Sequence, residues 1–365
     1  MKLSLISLLS FLLPTQLAFH INSLSTTVYG FKIDYLIPTL YLTDIVAVFI
    51  IILGLKKIKI TKRFMLYAVV YMVFVALNIY MSDYFISNIY RWIKITEMFL
   101  LGLVIFNTKK FDVFKHFVKP LSYSMFIVCI LGIWQFLIKS SVGGIFYWLG
   151  ERSFVFSDPN IAPYPYSIFS HPNSFAGFLL VFGIFLLEYK NKFNFKFFWS
   201  LLILVIVNLI LTNSLNVYIT TAILLLLRYR KNVVLGFGFL DFGARFVTHR
   251  IELIKASFQM IKENFWFGVG LNNFIPRLPS VHNLFVNSWE LQPVHNIFLL
   301  VFSEVGVFGF IAFCVLFFSS FSLLTTNYQL LTILITGLSD HYWLTLQQNL
   351  LIFTYVVIIS RKKKL

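Results

Sequence analysis

Long apolar runs recur from one end of the chain to the other, and short polar stretches separate them. A membrane-spanning helix needs about 20 mostly apolar residues. On this criterion the pattern predicts spans near residues 3–19, 39–55, 64–81, 91–106, 120–138, 172–188, 197–212, 215–227, 295–318, 328–338 and 345–359. A shorter segment at 233–246, interrupted by three glycines and Asp241, is counted as a further span because the topology requires it. The predicted fold class is all-α: a polytopic membrane helix bundle of about twelve transmembrane helices in a single integral membrane domain, residues 1–365.

The composition supports a membrane environment, because 59% of the residues are hydrophobic and only 12% are charged. Soluble domains carry about 25% charged residues. The basic residues that give the net charge of +16 lie in groups between spans, near residues 56–63, 109–119, 190–196, 228–231 and 361–364. Each group follows an even-numbered span, which is the positive-inside pattern. We therefore expect a multi-pass protein of the inner (cytoplasmic) membrane with both termini cytoplasmic, and we read the charge as an orientation signal rather than a nucleic-acid-binding surface.

Cofactor chemistry has little support in the residues. Cys129 and Cys314 lie inside apolar runs, which excludes a disulfide framework. No Asp-x-Asp, phosphate-binding glycine loop or His-x-x-x-His is present, and His249, His282 and His295 lack metal-ligand spacing. The sequence predicts no metal and no cofactor.

Two longer polar stretches, residues 139–171 and 247–294, fall on the predicted outer side. Long loops on a compact scaffold often carry function. In the second loop, apolar residues recur at three- and four-residue steps from Ile251 to Phe265, with charged residues between them. This periodicity predicts an amphipathic helix that ends at Gly268 and Gly270, with its apolar face in the membrane interface or packed on the bundle.

Basic residues on the predicted outer side need another explanation than orientation. Arg152, Arg250 and Arg277 are the clearest, accompanied by Arg245, Lys255 and Lys262. We expect some of them to bind an anionic partner. The alternative is solvation, or pairing with Glu252, Glu263 and Glu290.

Two helix starts on the same side carry polar residues. His171, Pro172 and Asn173 open one span at its positive dipole end, where a diphosphate could dock, although a plain helix start also explains the proline. His295 and Asn296 open another, where the helix dipole favours a neutral imidazole able to accept a proton. The alternative is a histidine that only caps the helix or anchors it at the interface.

Carboxylates inside spans are costly unless they face the bundle interior or are paired. Glu304 lies in the same span as His295, and Asp44, Glu97 and Asp241 raise the same question. A proton-coupled transporter also needs such acids.

Four stretches carry a family resemblance: FSHPNSFAGFLL at 169–180, RIELIKASFQMIKENFWFGVGLNNF at 250–274, PVHNIFLLVFSEVGVFGF at 293–310 and GLSDHYWLTLQQNLL at 337–351. In order and spacing they resemble the O-antigen ligase and O-antigen polymerase superfamily, and the last looks like one branch of it. The resemblance implies a glycosyltransferase-C-like bundle that transfers a glycan from a polyprenyl diphosphate carrier to a glycan or lipid-anchored acceptor on the outer face. It makes His295 the base for an acceptor hydroxyl and Arg250 the residue that holds the diphosphate. The expected substrate-binding residues are Arg152, His171, Asn173, Arg277, Asn296, Glu304 and His341.

The sequence departs from the family pattern at two places. Leu215 follows Ser214 where the family usually has a Ser-Arg pair, and no arginine lies shortly before His171. Either Arg152 and Arg277 substitute, or transferase activity is weakened or lost. The leading hypothesis is a metal-independent polyprenyl-diphosphate-dependent polymerase or ligase. The alternatives are a lipid-linked glycan flippase or transporter, and an inactive scaffold of a glycan-assembly complex.

Overall fold

The computed structural model describes residues 2–21, 26–56, 58, 61–158, 161–229, 244–281, 290–321 and 327–363. The predicted ninth segment at 233–246 lies almost entirely outside them. The helices are α1 Lys2–Leu12, α2 Leu42–Leu55, α3 Lys62–Tyr80, α4 Phe85–Phe106, α5 Lys119–Ile138, α6 Pro172–Glu188, α7 Phe195–Leu211, α8 Leu215–Tyr229, α9 Ala244–Glu263, α10 Phe274–Val281, α11 Ile297–Phe318, α12 Tyr328–Gly337, α13 Tyr342–Thr345 and α14 Gln347–Lys362. The strands are β1 Ala18–His20, β2 Thr27–Val28, β3 Phe31–Lys32 and β4 Thr39–Tyr41.

The observed helices follow the predicted spans closely, with one clear difference near the N-terminus. The first helix ends at Leu12 rather than continuing to Phe19. Pro14 lies two residues further on, and a proline lacks the N–H that a helix interior needs. The chain instead forms β1, which pairs antiparallel with β4, and this pairing delays the start of α2 to Leu42.

Within the part of the chain that the structure describes, three helices are long and apolar enough to cross a membrane: α3, the continuous helical stretch Phe114–Ile138 that contains α5, and α11. Six further apolar helices are 10 to 17 residues long. In α3, only 6% of the most apolar stretch of the helix is buried inside the protein, which suits a helix surrounded by lipid. The fold is that of a helical membrane protein, and the number of about twelve spans stays a prediction.

The main core joins α1, α2, α4, α5, α6, α7 and α14 through fully buried aliphatic and aromatic side chains. Phe117 lies at its centre, stacked on Tyr355 of α14 with ring centroids 4.4 Å apart and edge-on to Phe185 of α6 at 5.3 Å. Aromatic pairs at these separations add to the free energy gained by burial alone. The core therefore fixes the helices whose ends carry the candidate site.

A second core attaches α9 to the rest of the protein. Leu253 and Met260 of α9 are fully buried against Phe274 of α10, Val294 and Leu300. Helix α9 lies where the periodicity predicted one, but Ile251, Ile254 and Phe258 of the predicted apolar row stay exposed. A place for this row in the membrane interface stays a prediction. This second core brings the first half of α9 beside the start of α11.

Helix α11 is broken at Gly306, whose φ of 64° and ψ of −171° are not helical. The break frees backbone carbonyls of Ser303 and Glu304, which accept hydrogen bonds from the amides of Val269 (2.9 Å) and Gly270 (3.0 Å). Backbone groups inside a membrane protein need such partners, because lipid offers none. The contact is close, since a Cβ on Gly268 would lie 2.3 Å from the carbonyl carbon of Glu304.

We predict that Gly268→Ala lowers the thermal unfolding midpoint of the purified protein in detergent. The substitution adds the cost of a positive φ, about 1 kcal/mol, to a backbone clash. Gly30→Ala is the matched control, because Gly30 also has a positive φ, 80°, and open space around it. Equal midpoints for the two variants would contradict the proposed role of the close contact.

Candidate active site

The loop that follows α12 is held by side chains from two other helices. Asn296 caps α11 by accepting hydrogen bonds from the amides of Phe298 (2.9 Å) and Leu299 (3.0 Å), and its Nδ2 donates to the carbonyl of Leu338 at 3.0 Å. Nη1 of Arg250, on α9, donates to the carbonyl of Ser339 at 3.2 Å. Carbonyls at a helix C-terminus lack partners within the helix, so these bonds satisfy them. Residues 338–341 are thereby fixed between α9 and α11.

Three ionisable side chains meet at this loop. Nδ1 of His295 lies 3.6 Å from Oδ1 of Asp340, and the rings of His295 and His341 have centroids 5.0 Å apart. The other nitrogen of His295, Nε2, lies 3.2 Å from Oε1 of Gln292, and Nδ1 of His341 lies 2.8 Å from Oγ1 of Thr345. His295 thus has a carboxylate on one edge of its ring and a second polar neighbour on the other.

The protonation states follow from burial and from these neighbours. Burial raises the pKa of Asp340, but the contact with His295 and the charges of His295, His341 and His171 outweigh it, so the pKa lies well below its usual range. Burial and the charge of His295 lower the pKa of His341 to about 3, against the opposing effect of Asp340. At neutral pH, Asp340 is an anion and His341 is a neutral ring.

His171 comes to the same place from the start of α6. It caps this helix, its Nδ1 accepting the amide hydrogen of Asn173 at 3.2 Å, and its ring remains exposed. It interacts electrostatically with Asp340, His295, Arg250 and Arg152. The positive ends of α6 and α11 therefore converge on one cluster.

Arg152 reaches the cluster from the first predicted loop. Its side chain is exposed, and in the described part of the chain it has no hydrogen bond or ion pair. It acts electrostatically on His171 and on Tyr35, whose ring meets His341 edge-on with centroids 5.6 Å apart. Glu151 is buried and accepts hydrogen bonds from the amides of Val142 and Gly143, which orders the loop that carries Arg152.

Three other predicted site residues have partners outside the cluster or contact it through the backbone alone. Arg277 pairs with Asp83 at 3.3 Å and Glu263 at 3.8 Å, as the pairing alternative expected. Oε1 of Glu304 accepts the amide hydrogen of Phe274 at 3.3 Å inside the bundle. Asn173 reaches His171 through its backbone amide rather than its side chain.

Asp340 and Tyr35 are members of the cluster to which the sequence analysis gave no role. Asp340 had a usable signal, because it precedes His341 and directly follows the end of a predicted span. Tyr35 had none, since it lies more than 300 positions away from His341 in the chain. Only the fold brings the two together.

The cluster also contains a set of metal-ligand atoms that the spacing of histidines did not predict. One ligand atom each from His295, Asp340 and His341 lie within 4.8 Å of one another. Two histidines and a carboxylate are a known zinc donor set. The positively charged guanidinium of Arg250 acts on His341 and would repel a divalent cation. The ligand atoms therefore suit a metal ion, whereas the charge beside them disfavours it.

Residues 172–314 match the family model described as O-antigen ligase. The matched stretch begins at α6 and ends within α11. It contains Arg250 and His295, whereas His171, Asp340 and His341 lie outside it. No curated protein matches the chain significantly. The match spans less than half of the chain and is to the superfamily that the sequence stretches resemble, although the stretch at 337–351 lies outside it.

We predict that the protein loses thermal stability between pH 6.5 and pH 4, and that His341→Asn reduces this loss. His341 takes up a proton near pH 6.5 when unfolded but only near pH 3 when folded. The unfolded chain therefore binds more protons in this window, so the stability falls as the pH falls. Unfolding midpoints in detergent at several pH values measure it.

His20→Asn is the control for the loss of a histidine, because His20 is exposed and lies outside the cluster. Parallel pH curves for the wild type and His341→Asn would contradict the neutral, buried state of His341.

Proposed function

We propose that this relative of the O-antigen ligases transfers a glycan from a polyprenyl diphosphate carrier to a hydroxyl of a glycan or lipid-anchored acceptor. The family match supports glycan transfer, and the cluster supplies residues suited to it. The observation that carries the proposal is the convergence of His295, Asp340 and Arg250 at one end of the bundle. The positive-inside pattern supports the outer face for this end, with both termini cytoplasmic.

His295 is the proposed base. Asp340 favours a proton on Nδ1. The acceptor hydroxyl would take the place of the Gln292 amide oxygen that lies 3.2 Å from Nε2, and Nε2 then accepts the hydroxyl proton. The hydroxyl oxygen then bonds to the anomeric carbon as the bond from that carbon to the diphosphate oxygen breaks. Asp340 stabilises the imidazolium that results and acts as a positioning residue.

The departing polyprenyl diphosphate needs positive charge rather than a general acid. Arg250 is held near His295 by its bond to Ser339, and Arg152 lies within electrostatic reach of His171. Fixed cations and helix N-termini that face the site stabilise charge as it develops in the transition state. Arg152 is thus the proposed substitute for the arginine that the family pattern would place at Leu215.

The flippase hypothesis rests on Asp44, Glu97 and Glu304, and the structure gives two of these acids structural partners. Asp44 pairs with Lys94, and Glu304 accepts a backbone hydrogen bond. Only Glu97 lacks such a partner in the described part of the chain. We therefore prefer the transferase over the flippase and over an inactive scaffold.

We predict that His295→Ala lowers glycan transfer by about 10²- to 10⁴-fold, the range that a general base contributes. Asp340→Asn should lower kcat on the order of tenfold, with little change in KM, because it removes charge but keeps shape. The assay follows transfer from a purified lipid-linked oligosaccharide to the acceptor glycan by purified protein in detergent. Activity of His295→Ala at the wild-type level would rule out the mechanism.

Arginine variants test the diphosphate site separately. Arg250→Ala and Arg152→Ala should each reduce transfer at least about tenfold, because each removes a cation that faces the leaving group. Lys255→Ala is the matched control, since Lys255 lies on α9 five positions from Arg250 and pairs with Glu252 at 2.9 Å. An inactive Lys255→Ala protein would show that loss of charge on α9 is harmful irrespective of position.

We expect transfer to continue after dialysis against EDTA and in buffer without added divalent ions. The proposed mechanism neutralises the leaving group with arginine and assigns His295 to proton transfer, not to metal binding. Elemental analysis of the purified protein should accompany the assay. Loss of activity with EDTA and recovery with zinc would replace the base mechanism by metal chemistry at His295, Asp340 and His341.

A further inference from the structure

A second polar cluster lies among α2, α4 and α14, inside the apolar part of the protein. Lys94 of α4 and Asp44 of α2 form an ion pair, and each is only 3% exposed. Glu97, one helical turn after Lys94 and 8% exposed, interacts electrostatically with both. The cluster therefore contains one positive and two negative groups when all three are ionised.

The two carboxylates differ in their hydrogen bonds. Asp44 is saturated: Oδ2 accepts from Lys94 and from the amide of Tyr41 at 2.7 Å, and Oδ1 accepts from Nε2 of Gln347 at 2.6 Å. Oε1 of Glu97 is buried and has no hydrogen-bond partner among the described residues. Asp44 thus has the contacts that an anion requires, whereas Glu97 lacks them.

No other charged group in the neighbouring helices compensates Glu97. The helices packed on α4 are α2, α3 and α14, and between their terminal turns they contain no Lys, Arg or Glu. Arg91, on α4 itself, acts on Lys94 and Glu304. Tyr41 and Tyr90 place their rings 4.9 Å and 5.7 Å from Nζ of Lys94. The single cation of the cluster is shared between two acids and is already bonded to one of them.

We propose that Asp44, Lys94 and Glu97 form an intramembrane proton-binding site, with the proton on the Glu97 carboxyl at neutral pH. Binding one proton makes the cluster electrically neutral. An isolated buried carboxylate is neutralised in this way in preference to remaining charged in an apolar medium. A metal cation fits less well, because it would need several oxygen ligands and both oxygens of Asp44 are engaged. This inference is independent of the proposed transferase function.

The test uses infrared spectroscopy of the full-length protein in detergent at neutral pH. The wild type should show the carbonyl band of a protonated carboxylic acid in an apolar environment, and Glu97→Gln should lose it. Glu304→Gln is the matched control, because it removes another buried acid in the membrane region and should keep the Glu97 band. Spectra of the wild type and Glu97→Gln that do not differ in this band would overturn the proposal.

Asp44→Asn provides a second variant in case Glu97→Gln fails to fold. With Asp44 neutral, Lys94 becomes available to Glu97, so Glu97 should ionise and the band should disappear although Glu97 is present. Dicyclohexylcarbodiimide gives an independent measurement on the wild type, since the acid O–H adds across its C=N bond to form a covalent adduct. Mass spectrometry should find the adduct on Glu97 and not on Asp44, and a wild type that shows neither band nor adduct contradicts the proposal.

Discussion

The candidate active site depends on the carbonyl groups just after α12, which have no partner within the helix and are bonded by other parts of the protein. A helix leaves its last carbonyls without internal partners, and those of Leu338 and Ser339 accept hydrogen bonds from Asn296 and Arg250. One constraint therefore ties α9, α11 and α12 together, and it places Asp340 and His341 directly beside His295. Helix α9 can reach this position because Leu253 and its neighbours pack in the second core.

The charges in the cluster suit the proposed transfer, which creates negative charge on a leaving group. The cluster contains one buried carboxylate, Asp340, and the two cations Arg250 and Arg152. His341 is neutral at physiological pH. Such interactions are stronger where burial lowers the effective dielectric constant than they are in water. The same arrangement supplies a proton acceptor in His295 on the side of its ring opposite Asp340.

This apolar protein contains two polar clusters, the candidate active site and the cluster around Lys94. The segment from His341 to Gln347 connects them. His341 belongs to the candidate site, while Gln347, six positions later, bonds Asp44 in the intramembrane cluster. Most buried polar groups have partners, as a medium without water requires. Among the described residues, Oε1 of Glu97 is one of the exceptions and the only carboxylate oxygen among them. It led to the proposed proton-binding site, because a buried acid without partners is stable there only when it is neutral.

The sequence by itself determined the membrane class, most helix bounds, the amphipathic nature of α9 and the candidacy of His295 and Arg250, because these follow from local periodicity, helix-end chemistry and family motifs. It misplaced the end of α1, where Pro14 and the pairing of β1 with β4 override an apolar run. The substrate-binding roles of Arg277 and Glu304 stay predictions, and their observed partners are Asp83, Glu263 and the amide of Phe274. Only the tertiary structure decided that Asp340 and Tyr35 join the cluster and which row of α9 is buried, because contacts between distant segments depend on helix packing that no local pattern encodes.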